Sequence, residues 1–416
     1  MKRVLFVDDE PEVLAGLQRS LRHRKDWEMA FAGSGAEALE LFQSAPFDVI
    51  VSDLRMPEMD GTELLERIRA QYPGTIRIAL SGCLELEAAL RAAGVVHQYL
   101  AKPCDSGQLA DAIERFYAST AILTDETARR VVGAIGNLPC LSRTASAILA
   151  ALQRPNVSLR EVGDLIASDV AMAAKILQLV NSPLFGLYCE ITSVQSALVL
   201  IGMDTLRRIA VLAEVFRAFE FQRPIAEFSL PDFEAHSGRV ARIAAALPLP
   251  KSILPGCATA ALLHDIGKLV LAVRLPDQFE RNLQLSREQD RPLYLTEEES
   301  LGISHAEVGA YLLSLWGLSD SIVEAVCHHH RPARSRLTDP GLDITGIVHV
   351  ADALAAEIPP CGCEPAGPGP DLLDMQYLAA HGAAGQLPAW RQTAGRLVAK
   401  QPERQISAVL HSADRR

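Results

Sequence analysis

An open parallel α/β sheet followed by an all-helical domain is the fold class that the sequence predicts, on three observations. Residues 1–118 alternate short apolar runs with amphipathic stretches of helical period. From about Thr124 onward strand-like runs nearly vanish, while Ala, Leu and Ile recur at helical spacing. The 416 residues also exceed the roughly 100–200 of one ordinary domain.

The first part yields five strands, at 3–7, 28–32, 48–52, 76–80 and 98–100. Between and after them lie helices at 11–23, 35–44, 62–71, 84–92 and 106–117. Ser34-x-x-Glu37 has the capping-box pattern that opens the second helix, and Pro46 follows its end. Repeated βα units of this length argue for a doubly wound parallel sheet of order 2-1-3-4-5. In the second part Ser158-x-x-Glu161, Thr192-x-x-Gln195 and Ser304-x-x-Glu307 are three further capping boxes, each opening an apolar-periodic segment. The helical pattern reaches to about Glu357; the stretch 359–370, rich in Pro and Gly, is loop, and 371–416 are weakly helical.

Composition narrows the function. A hydrophobic fraction of 49% and a charged fraction of 22% are those of a globular chain with ample core material. Forty Lys and Arg against 51 Asp and Glu leave a net charge of −11, which argues against direct DNA binding, since phosphate backbones are held by clustered cations. The densest basic cluster, 19–25, reads as a solvated helix end. Val4–Val7 is cut short by Asp8-Asp9-Glu10 and is no signal sequence, and no uninterrupted apolar run approaches a membrane span. Eight cysteines without a Cys-x-x-Cys pair suit a reducing compartment; Cys361-x-Cys363 lies in the loop. A cytoplasmic protein without membrane insertion is expected.

In open α/β sheets chemistry gathers where strands end. Asp8 and Asp9 end the first strand, Asp53 the third and Ser81 the fourth, while Lys102 follows the fifth. The predicted strand order makes those strands neighbours. Three carboxylates in one crevice need a cation, and Mg²⁺ suits oxygen ligation while still accepting phosphate oxygens. One carboxylate can then take a phosphoryl group. Lys102 would offset charge on the phosphoryl oxygens, and Ser81 could hydrogen-bond one of them.

Residues 1–120 resemble the receiver domain of two-component response regulators, a flavodoxin-like fold. The matching segments are Val7-Asp8-Asp9-Glu10, Asp53-Leu54-Arg55-Met56-Pro57 through Asp60-Gly61, Leu80-Ser81-Gly82 and Lys102-Pro103. The resemblance implies that Asp53 is the phosphoacceptor for a sensor histidine kinase. It implies that Mg²⁺ is held by Asp8, Asp9, Asp53 and the backbone carbonyl of Arg55. Ser81, Tyr99, Lys102 and Pro103 take the positions of the switch. Pairing of two copies through the receiver's last helix is compatible with the same resemblance.

In the second part His264-Asp265 interrupts the apolar stretch 257–263, and burying both side chains requires partners, either a metal or a hydrogen-bond network. His305 follows the capping Ser304, where the helix dipole should keep its ring neutral and ready for a metal. Imidazole with carboxylate suits Fe, Mn or Zn.

The order His236, His264-Asp265, His305, His329-His330, Asp352 resembles the HD superfamily of metal-dependent phosphohydrolases. That pattern implies a first metal on His236, His264, Asp265 and Asp352. A second would sit on His305, His329 and His330, with Asp265 bridging and Lys268 toward a substrate phosphate. Leu138-Pro139, the stretch 168–177, Asn181-Ser182-Pro183-Leu184-Phe185-Gly186 and Leu200-Ile201-Gly202-Met203 are similar to HDOD domains, HD relatives that mostly signal without hydrolysis. The expected domains are a receiver at 1–120, a linker at 121–129, an HDOD domain at 130–356 and a loop and helical tail at 357–416.

The branch of HD proteins acting on cyclic-di-GMP has a glutamate after the double histidine and a Gly-Tyr-Pro element. Here Arg331 stands after it and the element is missing. The reading placed first is therefore a response regulator whose HDOD output touches a downstream signalling protein. The alternative is a phosphorylation-gated phosphodiesterase of a cyclic dinucleotide or another phosphate ester.

Overall fold

The computed structural model describes residues 2–82, 95–102, 106–119, 132, 147–148, 151–152, 154, 157–181, 191–212, 223–247, 254–336, 342–357 and 372–399. Five parallel strands, β1 (Lys2–Val7), β2 (Trp27–Ala32), β3 (Val49–Asp53), β4 (Ile76–Gly82) and β5 (Gln98–Lys102), form one sheet of order β2-β1-β3-β4-β5. Val4–Val7 of β1 and every residue of β3 are buried, as expected of central strands covered on both faces. The register sets Val7 beside Ser52, Asp53 beside Leu80, and Gly82 beside Lys102. Strand ends that carry Asp8, Asp53 and Lys102 therefore open on one rim.

Around the sheet run α1 (Pro11–Leu21), α2 (Gly35–Ser44), α3 (Gly61–Gln71) and α4 (Ser106–Ser119). Every described end falls within two residues of the sequence expectation; the helix expected at 84–92 and the linker at 121–129 lie outside the described residues. The Ser34 hydroxyl accepts the Glu37 N–H, but the Glu37 carboxylate reaches past it to the Gly33 N–H.

The described part of the helical domain comprises α5 (Leu159–Ile166), α6 (Val170–Val180), α7 (Val194–Leu212), α8 (Leu230–Ala246), α9 (Leu254–Leu263), α10 (Ile266–Arg274) and α11 (Pro276–Glu288). It continues with α12 (Leu293–Leu301), α13 (His305–Leu315), α14 (Asp320–His328) and α15 (Ile344–Glu357). Ser304 and Glu307 complete their reciprocal capping box at α13. The cap of α7 is shifted from Thr192 to Ser193, whose hydroxyl accepts the Ser196 N–H. Thr192 instead gives its carbonyl to the Thr259 hydroxyl, tying the entry of α7 to α9.

Helix α8 packs on α9 and α15, α10 on α13, and α13 on α14. Helix α15 is buried on nearly all sides from Ile344 to Ala355, which makes it the centre of the domain. Gly256–Arg274, 19 residues long and apolar enough by composition to cross a membrane, is 83% buried in this core and carries His264, Asp265 and Lys268. The tail joins the same core: α16 (Met375–Ala380) and α17 (Leu387–Ala399) bury Tyr377, Leu378 and Trp390, and α17 lies on α8 and α15.

The two domains meet where α4 packs on α13, and the Gln178 side-chain amide of α6 donates to the His97 carbonyl at 2.9 Å. One turn earlier on α6, the Lys175 ammonium is buried 5.3 Å from the Trp316 ring centre, and burial pulls its pKa down from 10.5 to about 7. Between those values the unfolded chain holds a proton that the folded chain lacks, so stability climbs with pH across that window. Lys175→Met is expected to raise the thermal midpoint at pH 6, by roughly 2–4 °C per kcal/mol relieved, with the gain shrinking toward pH 10 in circular-dichroism melts.

Candidate functional sites

The rim of the sheet holds an acidic pocket. Asp8 is fully buried and Asp53 nearly so, and carboxylate oxygens of Asp8, Asp9 and Asp53 lie within 4.8 Å of one another. The Lys102 ammonium bridges Asp8 at 2.8 Å and Asp53 at 3.0 Å. Burial raises the Asp53 pKa, Lys102 opposes that and Asp8 adds to it; the net direction is up. Burial would lower Lys102, but its two carboxylate partners hold it above its ordinary value. A groove lined by Asp9, Leu54, Arg55, Met56, Pro57, Asp60 and Thr62 opens beside the carboxylates. Its floor depends on Gly61, where a Cβ would fall 1.9 Å from the Asp53 carbonyl oxygen. Three oxygen donors beside an open groove fit Mg²⁺. Tyr99 is fully buried in β5. Ser81 lies in β4 with its side chain outside the described residues, as is Pro103 altogether.

The second cluster forms where the α9–α10 helix breaks. Asp265 occupies the break with φ −99° and ψ 7°, and its carboxylate turns into the core. One oxygen lies 3.2 Å from His264 Nε2, 3.8 Å from His236 Nε2 and 2.6 Å from Lys268 Nζ. The other lies 3.2 Å from His305 Nε2 and 3.8 Å from His329 Nε2. Asp352, from α15, approaches His236 at 3.1 Å and His264 at 3.5 Å. His330 Nε2 is 2.9 Å from His305 Nε2. The structure thus brings all seven sequence-selected His and Asp residues together, with Lys268 paired to Asp265.

The rings are aimed by their outer nitrogens. His264 Nδ1 donates to the Ala261 carbonyl at 2.8 Å and His329 Nδ1 to the Val326 carbonyl at 2.7 Å. Both Nε2 atoms then face the cluster, where they are buried without a hydrogen-bond partner, as is Asp265 Oδ1. Inward imidazole nitrogens fixed from behind, around a shared carboxylate, fit a transition-metal site. Ligand atoms of Asp265, His305, His329 and His330 lie within 4.8 Å of one another, as do those of His236, His264 and Asp265.

Electrostatics divide the cluster. Burial opposes a charged His264, yet Asp265 and Asp352 lift it to about 10. Burial and the neighbouring His264 push His329 down to about 3, and burial holds His330 well below its ordinary value. Both carboxyls, despite burial, are held well below the usual range, Asp265 by His264 and Lys268, Asp352 by the His236 and His264 rings. Lys268 is raised because Asp265 outweighs its burial. His305 departs from the dipole argument: burial lowers its pKa, but Glu297 reverses the sign and the net shift is upward.

Glu297 is the residue that sequence reasoning missed. It sits among Glu297-Glu298-Glu299, a run that reads as a solvated helix face, yet it is fully buried against His305. Tyr294, which stacks on His330 at 4.4 Å, was missed as well. So was His349, whose Nδ1 donates to the His329 carbonyl at 2.7 Å while its Nε2 accepts the Asp374 N–H of the tail at 2.9 Å. Their only advance signal was the apolar spacing around them.

The family of response regulator receiver domains matches residues 4–114, and the family of HDOD domains matches residues 138–332. The chain joins a receiver domain to an HDOD domain, the architecture of a two-component regulator. An uncharacterized protein of Treponema pallidum (strain Nichols) is 23% identical over 210 residues, which is 50% of this chain and 40% of that protein. Transcriptional regulatory protein GlrR of Escherichia coli (strain K12) is 35% identical over 130 residues, 31% of this chain and 29% of its own. This chain therefore spans less than half the length of either relative. Among solved structures, the MmoQ response regulator of Methylococcus capsulatus str. Bath is 25% identical, with a TM-score of 0.46 over 61% of this chain and 98% of that one. The HDOD match ends before Asp352 and the tail.

Gly267 sets the distance between the two halves of the cluster, because a Cβ there would lie 1.9 Å from the His305 carbonyl oxygen. Gly267→Ala is expected to cost about 1–3 kcal/mol by overpacking α10 against α13, read as a lowered thermal midpoint. The same exchange at Gly16, mid-helix with no atom within 4 Å, should stabilise by about 0.5–1 kcal/mol.

Proposed function

We propose that this protein is a phosphorylation-gated, metal-dependent phosphohydrolase acting in the cytoplasm on a phosphate ester, with cyclic dinucleotides as the first substrates to test. The observation that carries this reading is that buried His264 Nε2, His329 Nε2 and Asp265 Oδ1 make no hydrogen bond yet converge on one cluster of metal-ligating side chains.

In this reading a sensor histidine kinase presents a phosphohistidine, and a carboxylate oxygen of Asp53 forms the new bond to phosphorus as the histidine nitrogen leaves. Asp8, Asp9, Asp53 and the Arg55 carbonyl would hold Mg²⁺, and Lys102, now paired with Asp8 and Asp53, would be placed to turn to the incoming phosphoryl oxygens. Ser81, Tyr99 and the Lys102-Pro103 segment respond. In the helical domain His236, His264, Asp265 and Asp352 would hold one metal, and His305, His329 and His330, together with Asp265, would hold a second. Bound transition metals supply Lewis-acid activation of water and of the ester oxygens. The chain's own part is to fix ring orientation, bury the carboxylates and keep Lys268 charged beside Asp265, where it can offset an arriving phosphate. The receiver occupies 1–120, and the output domain runs from 130 through the tail helices.

Gating is supported by the seam between domains. Helix α4 of the receiver lies on α13, whose first residue is His305, so a shift of the receiver's surface bears directly on a metal-site helix. DNA binding is not part of the proposal. A second reading, output by protein contact, is favoured by Arg331, which follows the double histidine and is held by both oxygens of Glu298 at 2.5 and 2.8 Å.

The deciding experiment loads the full chain with Mn²⁺, treats it with acetyl phosphate and Mg²⁺, and follows hydrolysis of cyclic dinucleotides and bis(p-nitrophenyl) phosphate. Expected are an acid-stable-to-neutral, base-labile phosphoryl adduct lost in Asp53→Ala, and turnover that changes with phosphorylation. Asp265→Asn should lower turnover by more than about 100-fold. Metal-loaded protein that is inert on every ester leaves the contact reading in place; absence of the adduct overturns the receiver assignment.

A further inference from the structure

We infer that Glu297 is a positioning residue for the second metal, holding His305 in the tautomer that presents Nε2 to it; the inference rests on the metal-site reading above. Glu297 is fully buried, and its Oε2 accepts two hydrogen bonds from His305, the backbone N–H at 2.8 Å and the ring Nδ1–H at 2.6 Å. The ring's other nitrogen then faces Asp265 Oδ1 at 3.2 Å and His330 Nε2 at 2.9 Å.

Capping alone does not call for this carboxylate. The start of α13 already has its reciprocal Ser304–Glu307 box, and a glutamine oxygen would accept the His305 N–H at no cost in buried charge. What a carboxylate adds is a firm hold on the Nδ1 proton and greater electron density on the ring, which strengthens Nε2 as a ligand. The neighbouring turn of the same helix does matching work. Tyr294, three residues earlier on α12, stacks within 16° of parallel on His330, fixing the plane of the other ring in this half of the cluster. Helix α12 thus presents one orienting side chain per turn to the second metal set, and none of its residues is itself among the seven ligand candidates.

The test is equilibrium dialysis of the full chain against Mn²⁺, comparing wild type with Glu297→Gln and with Glu299→Gln, an exposed control on the same helix. With excess Mg²⁺ present to fill the receiver pocket of Asp8, Asp9 and Asp53, wild type should bind two Mn²⁺ ions. Glu297→Gln should keep the first with unchanged affinity and bind the second about 10–100-fold more weakly. The control should match wild type. Equal affinity for both ions in Glu297→Gln overturns the inference while leaving the metal reading intact. Wild type that binds no ion overturns the metal reading instead. Should Glu297→Gln not fold, ¹⁵N-histidine spectra of Zn²⁺-loaded wild type decide: a retained His305 Nδ1–H supports the inference, and a proton on Nε2 refutes it.

Discussion

A single buried carboxylate organises the helical domain. Asp265 touches four histidines and a lysine through its two oxygens, at 2.6 to 3.8 Å. Such a group is costly to bury, and it stays ionised because cations and hydrogen-bond donors surround it. The surrounding elements serve this requirement in recognisable ways. The α9–α10 helix breaks at His264-Asp265, so that both side chains leave the helix inward. Gly267 then lets α13 come within backbone contact, bringing His305 to the far oxygen. Helix α15, buried on nearly all sides, delivers Asp352 from the opposite wall.

The receiver solves a similar problem with less. Its acidic pocket has Lys102 as an internal cation, yet the Asp53 pKa is still raised, because burial and Asp8 together outweigh that lysine. Gly61 matters here for a geometric reason: only a residue without Cβ lets α3 begin directly against the Asp53 carbonyl. The rim is therefore built tightly under Asp53 while remaining open beside it.

Both sites were legible in the sequence to the extent that chemistry contradicted pattern. Asp8, Asp53 and Lys102 stood out because charged residues punctuated the ends of apolar strands. His264-Asp265 stood out because it broke an apolar helix. Glu297 was illegible for the converse reason. It belongs to a run of three glutamates with three different fates: Glu297 is buried on His305, Glu298 grips Arg331, and Glu299 pairs with Arg291 in solvent. Helical rotation alone separates them, and the rotation of α12 is set by tertiary contact. The tail was unreadable for a similar reason, since Tyr377 and Trp390 acquire meaning only against α8 and α15. The expected Thr192 cap is displaced by one residue to Ser193, while the Thr192 backbone carbonyl is taken by the Thr259 hydroxyl, a tertiary bond that local pattern does not announce.

The seam between domains gives the two sites a common mechanical element. The segment leading into β5 is clamped from β4 by buried Arg77, which donates to the Val95 carbonyl at 2.7 Å and lies 3.1 Å from His97 Nε2. His97 in turn offers its carbonyl to Gln178 of α6. The same strand carries Tyr99 in its middle and Lys102 at its end, beside Asp53. On the other side of the seam, α13 runs from His305 to Leu315, and just beyond it a Cβ on Gly317 would lie 3.4 Å from the Gln98 side-chain amide. A rearrangement at Lys102 thus has only one short strand to traverse before it reaches a residue in contact with the end of α13. Helix α13 is held at its start by Glu297 and by its backbone contact with Gly267, so a displacement at its far end would reach His305 more as a change in angle than in distance. In the gated reading proposed above, a modest population shift in the receiver would then alter ring orientation at His305 without remodelling the core.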